Sequence, residues 1–438
     1  MAGNSKIRSG RLSKAEIDVN FSDLHPPLTR SEALIEADRC YFCYDAPCTT
    51  ACPTGIDIPV FIQKIRSDNL RGSARTILSE NIMGGMCARV CPTEVLCEEA
   101  CVRNTHEEKP VEIGLLQRYA TDPVFERNEQ LFERAPPSGR TVAVVGGGPA
   151  GLSCAHRLAV LGHDVVVFNR HSKLGGLNEY GIAAYKAIND FAQTEIGYLL
   201  SIGGIEVRNN VTLGVDFNLD DLRKEYDAVF LGLGLAMSNK LGVEGENLEG
   251  VINAIDYIAK LRQTEDKSTL PVGHDVVVIG GGMTAIDIAV QSKRLGAEHV
   301  HMVYRRGPEQ MSASVFEQAL AQTSGVTLHH WANPGRILGD DYVTGVEFDI
   351  NGTDGGMHLD ADVVFIAIGQ KMDASGLNAL TMDSGRFVVD EDHRTSMDKV
   401  WAGGDCVAGG DDLTVSAVQH GKLAAISIDR TLRKKNHG

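Results

Sequence analysis

Eight of the ten cysteines in this 438-residue chain lie between positions 40 and 101, and this clustering constrains the fold more than any other feature. Thiolates are soft ligands that select zinc, Cu(I) or iron-sulfur clusters over hard cations. Two sets of four thiols are what a pair of four-ligand metal centres requires. The sets are Cys40-x2-Cys43-x4-Cys48-x3-Cys52 and Cys87-x3-Cys91-x5-Cys97-x3-Cys101. The pattern predicts a small domain that folds around metal and moves electrons.

The bulk composition narrows the class of protein. The chain is 43% hydrophobic and 23% charged, which is typical of a globular protein of two to three domains. Its formal net charge of −16 argues against a nucleic-acid or anionic-membrane partner. The sequence has no apolar run of about 18 residues, so no membrane span is predicted and a cytoplasmic location is expected. Thiols stay reduced there, so the clustered cysteines are interpreted as metal ligands before disulfides.

Helical spacing surrounds the cysteines, and a linker separates them from the rest of the chain. Thr29 and Glu32 form a predicted capping box for a helix over 33–39. Residues 59–65 and 73–78 also have helical spacing, whereas 134–139 are rich in proline, glycine and serine. The sequence therefore predicts a helical N-terminal domain that ends near residue 135.

Two strand-helix-strand units follow the linker. Their predicted elements are 141–145, 150–161 and 164–168 in the first unit and 275–279, 283–295 and 299–304 in the second. Each unit has a glycine-rich turn between strand and helix, which allows close backbone approach and aims the helix N-terminus at a pyrophosphate. The predicted cofactor-binding residues are Gly146, Gly148, Ala150 and Gly151 in the first turn and Gly280, Gly282, Thr284 and Ala285 in the second. Two dinucleotides are expected.

The residue that ends the second strand of each unit distinguishes the two dinucleotides. An acid at this position binds a ribose hydroxyl, whereas arginine accommodates a 2′-phosphate. The second unit has Arg305 and Arg306 there, which favours NADPH over NADH because guanidinium groups pair well with phosphate; a solvated surface pair is the alternative interpretation. The first unit has Asn169, which is interpreted as a weaker ribose contact without charge assistance.

These motifs, together with two later segments, resemble the flavoproteins that contain two dinucleotide-binding domains. Gly176 and Leu177 follow the second strand, and Gly404 and Asp405 precede a predicted helix over 414–432. In this family a Gly-Gly-Asp segment near the C-terminus closes over FAD, and the resemblance implies that Asp405 binds the ribityl chain. The FAD set that the resemblance implies also includes Lys186, Gly369, Thr414 and Val415.

The cysteine pattern narrows the resemblance to the group that contains the glutamate synthase small subunit and the N-terminal half of dihydropyrimidine dehydrogenase. The latter branch is favoured by the segments 45–48, 91–97 and 113–117. The resemblance implies that one [4Fe-4S] cluster is held by Cys40, Cys43, Cys48 and Cys101, and the other by Cys52, Cys91, Cys97 and Gln117, with Cys87 left over. Lys186 stands where the family has arginine, so it keeps the charge and loses the forked geometry.

The resemblance also implies a domain order and an activity. We expect an α/β chain with an all-helical iron-sulfur domain over 1–135, an FAD domain over 136–240 and 368–438, and an inserted NAD(P)H domain over 241–367. Electrons from NAD(P)H would pass through FAD and two [4Fe-4S] clusters to a separate FMN and iron-sulfur subunit, in a hetero-oligomer that reduces uracil or thymine to the 5,6-dihydro product. The isolated chain would show only diaphorase activity.

Two other functions fit the same residues. The first is the small subunit of glutamate synthase, which passes electrons to a glutamine amidotransferase partner. The second is a zinc-stabilised protein that senses nucleotides without reacting. The Cys-Pro pairs and x3 spacings favour cluster ligation over zinc. No catalytic acid or base is assigned, because cofactors supply the chemistry, and a disulfide-reductase mechanism is disfavoured because Cys154 and Cys406 do not form a Cys-x-x-Cys pair.

Overall fold

A computed structural model describes residues 6–353, 355–377 and 379–434. They divide into two compact units. The smaller unit contains residues 6–24, 180–188 and 237–371, and the larger unit contains residues 25–179, 189–236 and 372–434. In these described ranges, every helix is too short or too polar to cross a bilayer.

The described elements comprise sixteen α-helices and seventeen strands. The helices are α1 (Lys14–Asn20), α2 (Arg30–Asp38), α3 (Pro47–Ala51), α4 (Ile58–Arg66), α5 (Leu70–Glu80), α6 (Gly84–Val90), α7 (Asn104–Glu107), α8 (Ile113–Glu126), α9 (Pro149–Val160), α10 (Leu177–Tyr180), α11 (Phe191–Leu200), α12 (Leu219–Glu225), α13 (Ala254–Gln263), α14 (Met283–Arg294), α15 (Val315–Thr323) and α16 (Thr414–Lys434). The strands are β1 (Thr141–Val145), β2 (Asp164–Asn169), β3 (Ile205–Asn209), β4 (Ala228–Leu231), β5 (Met237–Ser238), β6 (Val251–Asn253), β7 (Asp275–Ile279), β8 (His299–Val303), β9 (Thr327–His329), β10 (Ala332–Gly339), β11 (Val343–Ile350), β12 (Gly356–Asp360), β13 (Val363–Ile366), β14 (Gln370–Lys371), β15 (Met382–Asp383), β16 (Arg386–Phe387) and β17 (Val400–Ala402).

Helices α2 to α8 of the larger unit surround the clustered cysteines. The predicted capping box is present, because the Thr29 hydroxyl accepts from the Glu32 amide and the Glu32 carboxylate accepts from the Thr29 amide. Helix α2 therefore begins at Arg30, three residues before the predicted start. Helix α4 buries Phe61 and Ile62. These side chains belong to an apolar core against which Cys40, Cys48, Cys52 and Cys101 pack. Local hydrophobic periodicity therefore places the thiols at the edge of a packed core.

The larger unit also contains a parallel five-stranded sheet, in the order β17-β4-β1-β2-β3. Strand β1 pairs with β2 on one side and with β4 on the other. The chain order reverses at β1, and ligands of open parallel sheets bind at the carboxyl end of the strand where that happens. Gly146 follows β1 at this point.

The smaller unit repeats this arrangement in the order β6-β13-β7-β8-β9. Strand β7 pairs with β13 and β8, so the order reverses at β7, which Gly280 follows. A three-stranded antiparallel sheet, β10-β11-β12, packs its apolar face with the buried side chains of β7.

The α/β class predicted from the sequence is confirmed, and the strands and helices of both predicted units lie within two residues of their expected bounds. Two segments differ from the expected domain bounds. Residues 180–188, expected in the FAD domain, belong to the smaller unit. Residues 6–24, expected in the N-terminal domain, belong to the smaller unit, where Ile17 and Phe21 join the core that contains Tyr257 and Ile286. Ile17 lies on α1 and Phe21 directly follows that helix, and the sequence did not indicate which core these residues would join.

Candidate functional site

The first glycine turn of the larger unit leaves room only for backbone. Gly146 has φ +109°, and a Cβ there would lie 2.1 Å from the Gly232 carbonyl oxygen. A Cβ on Gly151 would lie 1.9 Å from the Gly146 oxygen, and one on Gly176 would lie 2.9 Å from the Gly148 Cα. Helix α9 starts at Pro149 without a side-chain cap. Uncapped amides at a helix N-terminus suit a pyrophosphate, so the turn fits the predicted dinucleotide.

Asn169 at the end of β2 is buried, and its amide nitrogen is saturated. Nδ2 donates to the carbonyl oxygens of His171 at 2.8 Å and Lys173 at 3.0 Å, and to Oδ1 of Asn209 at 2.9 Å. Its Oδ1 lies toward the glycine turn, 2.9 Å from where a Cβ of Gly147 would be. The side chain therefore presents an acceptor to the turn, as the carboxylate of related sites does.

The C-terminal segment packs directly on the first turn. A Cβ on Gly404 would lie 2.9 Å from that of Ala150, and helix α16 approaches so closely that a Cβ on Gly421 would lie 2.1 Å from the Ala150 oxygen. Burial, with a smaller effect of Asp412, raises the pKa of Asp405 to about 6. The start of α16 is fixed by a bond from the Thr414 hydroxyl to Asn178 Oδ1, 2.8 Å long, and by buried Val415.

The second glycine turn, in the smaller unit, has the same geometry. Gly280 has φ +155°, and a Cβ there would lie 2.2 Å from the Ala367 oxygen. Helix α14 begins after Gly282 without a side-chain cap, with Ala285 buried and Thr284 half-buried. This turn therefore also fits a dinucleotide. Gly369, predicted in the cofactor set, lies in this unit with φ +93°, and its carbonyl accepts from the Asn239 amide at 3.2 Å.

Arg305 and Arg306 are exposed just beyond β8. Within the part of the chain that the structure describes, neither guanidinium has a hydrogen-bond or ion-pair partner. Their backbone is nevertheless fixed, because the Arg305 oxygen accepts from Asn351 Nδ2 at 2.8 Å and the Arg306 oxygen accepts from the Trp331 amide at 3.1 Å. Two charges held on an ordered backbone are what a 2′-phosphate requires.

The surroundings of Lys186 do not fit its predicted role as a cofactor contact. Its Nζ lies 2.7 Å from Glu317 Oε1 and 2.8 Å from Asp287 Oδ1, deep inside the smaller unit. Burial lowers the pKa of Lys186, but the two carboxylates outweigh it and keep the pKa above its ordinary value. The charge is thus neutralised internally and is not available to a cofactor phosphate. The acids lie 101 and 131 residues away, at a separation that a motif comparison does not reveal.

The four cysteines that the family resemblance assigns to the first cluster lie around one cavity. Cys40, Cys43, Cys48 and Cys101 line this cavity, which is partly open to solvent. Burial, followed by the neighbouring thiols Cys40 and Cys101, raises the pKa of Cys48 to about 12. Thiols this close repel one another as thiolates, so they need a cation to compensate their charge, and a metal would release their protons. The donor set fits a soft metal centre.

Cys87, which the resemblance does not assign to a cluster, lies near the second set of thiols. A hydrogen bond to Cys87 and burial are the main reasons why the pKa of Cys91 is raised. The charges of the nearby thiols Cys87, Cys97 and Cys52 add to this effect. Buried Gln117 donates from Nε2 to the Gly84 oxygen at 2.6 Å. The second site therefore has three predicted thiols together, and Cys87 beside them as a competing ligand.

Glu195 is a buried residue that the sequence analysis missed. Its Oε1 accepts from the amides of Gly85 at 2.8 Å and Met86 at 3.0 Å, at the start of the helix that carries Cys87. Burial is the main reason why its pKa is raised to about 8. An isolated glutamate on an amphipathic helix gives no signal of such a contact, because its partners are 109 and 110 residues away.

The raised pKa of Glu195 predicts a pH dependence of stability. The folded protein keeps the Glu195 proton between pH 4.5 and about 8, where the unfolded chain has lost it. This contribution is therefore complete below pH 4.5 and is lost as the pH rises toward 8. We expect Glu195→Gln, which keeps both hydrogen bonds, to flatten the fall in urea midpoint over that range. A slope equal to that of the unmodified chain would contradict the assignment.

Two cysteines and several histidines lie outside the two thiol sets. Cys154 and Cys406 are buried, and none of the ten cysteines, all of which the structure describes, forms a disulfide. His301 and His329 contact each other at 3.0 Å. His274, Asp275 and His299 are near enough to share an ion, but Asp275 already pairs with Lys6 at 3.2 Å.

Comparison with known proteins identifies two matching family models. The model for pyridine nucleotide-disulphide oxidoreductases matches residues 140–421, and the model for dihydropyrimidine dehydrogenase domain II, 4Fe-4S cluster, matches residues 17–129. Among curated relatives, the glutamate synthase [NADPH] small chain of Escherichia coli K12 is 34% identical over 444 residues, covering 94% of this chain and 93% of the relative. The NAD-dependent dihydropyrimidine dehydrogenase subunit PreT homolog of Salmonella typhi is 32% identical over 415 residues, covering 94% and 98%.

Solved structures show the same fold at lower identity. The thioredoxin reductase of T. acidophilum has a TM-score of 0.56 at 22% identity, covering 67% of this chain and 99% of that one. FprA of Mycobacterium tuberculosis, in complex with NADPH, has a TM-score of 0.57 at 17% identity, covering 69% and 86%. These similarities support the fold of the two dinucleotide-binding regions.

Proposed function

Because this chain belongs to the pyridine nucleotide-disulphide oxidoreductase family and is an NAD(P)H-dependent flavin and iron-sulfur oxidoreductase, we propose that it is the electron-input subunit of a dihydropyrimidine dehydrogenase. Its partner would be a separate FMN and iron-sulfur subunit that reduces uracil or thymine. The observation that carries the proposal is the match of the cysteine region to the dihydropyrimidine dehydrogenase 4Fe-4S model, with Gln117 at the end of the segment 113–117. Its location would be the cytoplasm, where thiols remain reduced.

Each region of the chain has its own part in this proposal. The Gly280 turn with Arg305 and Arg306 binds NADPH, the Gly146 turn with Asn169 and Asp405 binds FAD, and the cysteines between 40 and 101 hold two [4Fe-4S] clusters. Residues 241–367 would form the NADPH region, 136–240 with 368–438 the FAD region, and 1–135 the cluster region, except that residues 6–24 and 180–188 belong to the smaller unit. The bound groups supply hydride acceptance and single-electron transfer. The chain's residues bind and orient them: glycine turns admit the pyrophosphates, and thiolates compensate the metal charge.

A second candidate rests on the 34% identity to a glutamate synthase small chain over nearly the full length. In that case the partner would be a glutamine amidotransferase. The two functions share the electron-input layout and differ in the acceptor, so the partner decides between them.

The test is anaerobic oxidation of NADPH or NADH by the chain co-expressed with each type of partner. We expect uracil-dependent oxidation with the FMN subunit and only artificial-acceptor reduction by the chain alone. Oxidation with the amidotransferase that requires both glutamine and a 2-oxo acid as electron acceptor, and none with uracil, would replace the first proposal by the second.

We further propose that Gln117, and not Cys87, completes the second cluster. The bond from Gln117 Nε2 to Gly84 fixes the orientation of the amide through its nitrogen, as outer-shell bonds orient ligands. We expect Cys87→Ser to retain the iron of both clusters and Gln117→Leu to lose roughly half of it, because one four-ligand site is broken. Iron and acid-labile sulfide per chain are the measurement. The reverse pattern would assign the ligand to Cys87.

A further inference from the structure

Trp331 is an exposed aromatic residue that the proposed function does not use. It is one of two tryptophans, and its side chain is 51% exposed. The other, Trp401, is 2% exposed and donates from Nε1 to Ser427 at 3.0 Å. Trp331 also has φ +55°, a left-handed conformation that bulky residues rarely adopt. Trp331 thus combines an exposed aromatic ring with a left-handed backbone conformation.

Hydrogen bonds attach this tryptophan to the arginine pair. Its amide donates to the Arg306 oxygen at 3.1 Å, and its own oxygen accepts from the Asn351 amide at 2.8 Å. Asn351 Nδ2 in turn donates to the Arg305 oxygen at 2.8 Å. The indole lies over the residue after the pair, because a Cβ on Gly307 would be 2.9 Å from its Cζ2. The backbone segments that carry the ring and the two guanidiniums are therefore tied together in the smaller unit.

We infer that Trp331 is the stacking platform for the adenine of the nicotinamide nucleotide, an inference that rests on the proposed NADPH site and adds its base subsite. In NADPH the adenine and the 2′-phosphate are attached to the same ribose, so a base must lie within a few ångströms of the arginines that bind the phosphate. Aromatic faces bind bases by stacking, with an effect of roughly tenfold in affinity per base. Adjacent His330 packs against the indole in an edge-to-face arrangement, with the two ring centroids 5.7 Å apart.

The test uses two probes that lack nicotinamide, 2′,5′-ADP and 5′-ADP, titrated into the FAD-loaded chain by calorimetry and by tryptophan fluorescence. We expect 2′,5′-ADP to quench the emission of exposed Trp331. Trp331→Ala should weaken both probes about tenfold, because both contain adenine. Trp331→Phe, which keeps an aromatic face, should bind both within a few-fold of the unmodified chain and lose the quenching signal.

A matched double variant separates this inference from the NADPH site itself. Arg305→Gln with Arg306→Gln should weaken 2′,5′-ADP and leave 5′-ADP unchanged, because only the former has the 2′-phosphate. If the arginine variant behaves so while Trp331→Ala binds both probes normally, stacking is overturned and the NADPH site stands. If the unmodified chain binds neither probe, both are overturned.

Discussion

Lys186→Met is expected to lower the free energy of unfolding by about 3–5 kcal/mol, because it leaves two carboxylates buried without their counter-charge. Lys186 and Asp287 are 8% and 6% exposed at the side chain, and Glu317 is 10% exposed. Water cannot compensate charges at this depth. Either the segment 180–188 separates from the smaller unit, or one acid takes up a proton. The measurement is the midpoint of urea unfolding at neutral pH.

The same substitution at a surface lysine provides the control. Lys14 Nζ lies 2.7 Å from Asp18, so its contact distance matches that of Lys186, but both side chains are about 60% exposed. Lys14→Met should leave the midpoint almost unchanged, since exposed pairs contribute little. Adding Glu317→Gln to Lys186→Met should recover part of the loss, because one uncompensated charge disappears. Equal shifts for Lys14→Met and Lys186→Met would exclude burial as the cause.

The fate of Lys186 shows what a family motif can and cannot predict. The sequence located the glycine turns correctly because a turn depends on its own few residues and on the strand and helix beside it. A cationic residue in a family motif carries no such local constraint. Asp287 and Glu317 lie on separate helices, α14 and α15, and only the folded smaller unit brings them to the ammonium group. Long-range ion pairs of this kind are the part of the site that periodicity and spacing leave undetermined.

The positions of residues 6–24 and of Glu195 also depend on contacts between segments far apart in sequence, so the sequence pattern did not predict them. The sequence around α1 has little periodicity, so it did not indicate that Ile17 joins the core of the smaller unit. The hydrogen-bond donors to Glu195 are not on its own helix, α11. They are two backbone amides at the start of α6. By contrast, the cysteine spacing grouped Cys40, Cys43 and Cys48, which do line one cavity, because eight residues of loop and one short helix confine them. It also placed Cys52 in that set, and Cys52 does not line the cavity. The joining of Cys101 to that set came from the family resemblance.

Asn169→Asp is expected to weaken FAD binding by about 30-fold or more, although an acid is what the dinucleotide motif usually places there. The reason is the direction of three hydrogen bonds. Asn169 Nδ2 donates to three oxygens, those of His171, Lys173 and Asn209, at 2.8 to 3.0 Å. An aspartate would set a carboxylate oxygen against all three acceptors, in a position that is 5% exposed. Leaving a buried charged group without donors costs about 2 kcal/mol or more. We expect the free chain to relieve this cost by moving the segment 171–173, so that the cost arises when FAD binding closes the segment and lowers affinity by the corresponding factor.

Asn209 supplies a matched control within the same hydrogen bond. Its Oδ1 is the acceptor from Asn169, and the residue is exposed. Asn209→Asp therefore replaces one acceptor by another and should leave FAD affinity unchanged, although the chemical change is identical. Both variants are measured by titrating FAD into the flavin-free chain and following flavin fluorescence. If Asn169→Asp binds FAD as tightly as the unmodified chain, the segment 171–173 must be able to turn its carbonyl groups away. In that case asparagine at 169 is a neutral replacement for the acid and not a requirement of the loop that encloses it.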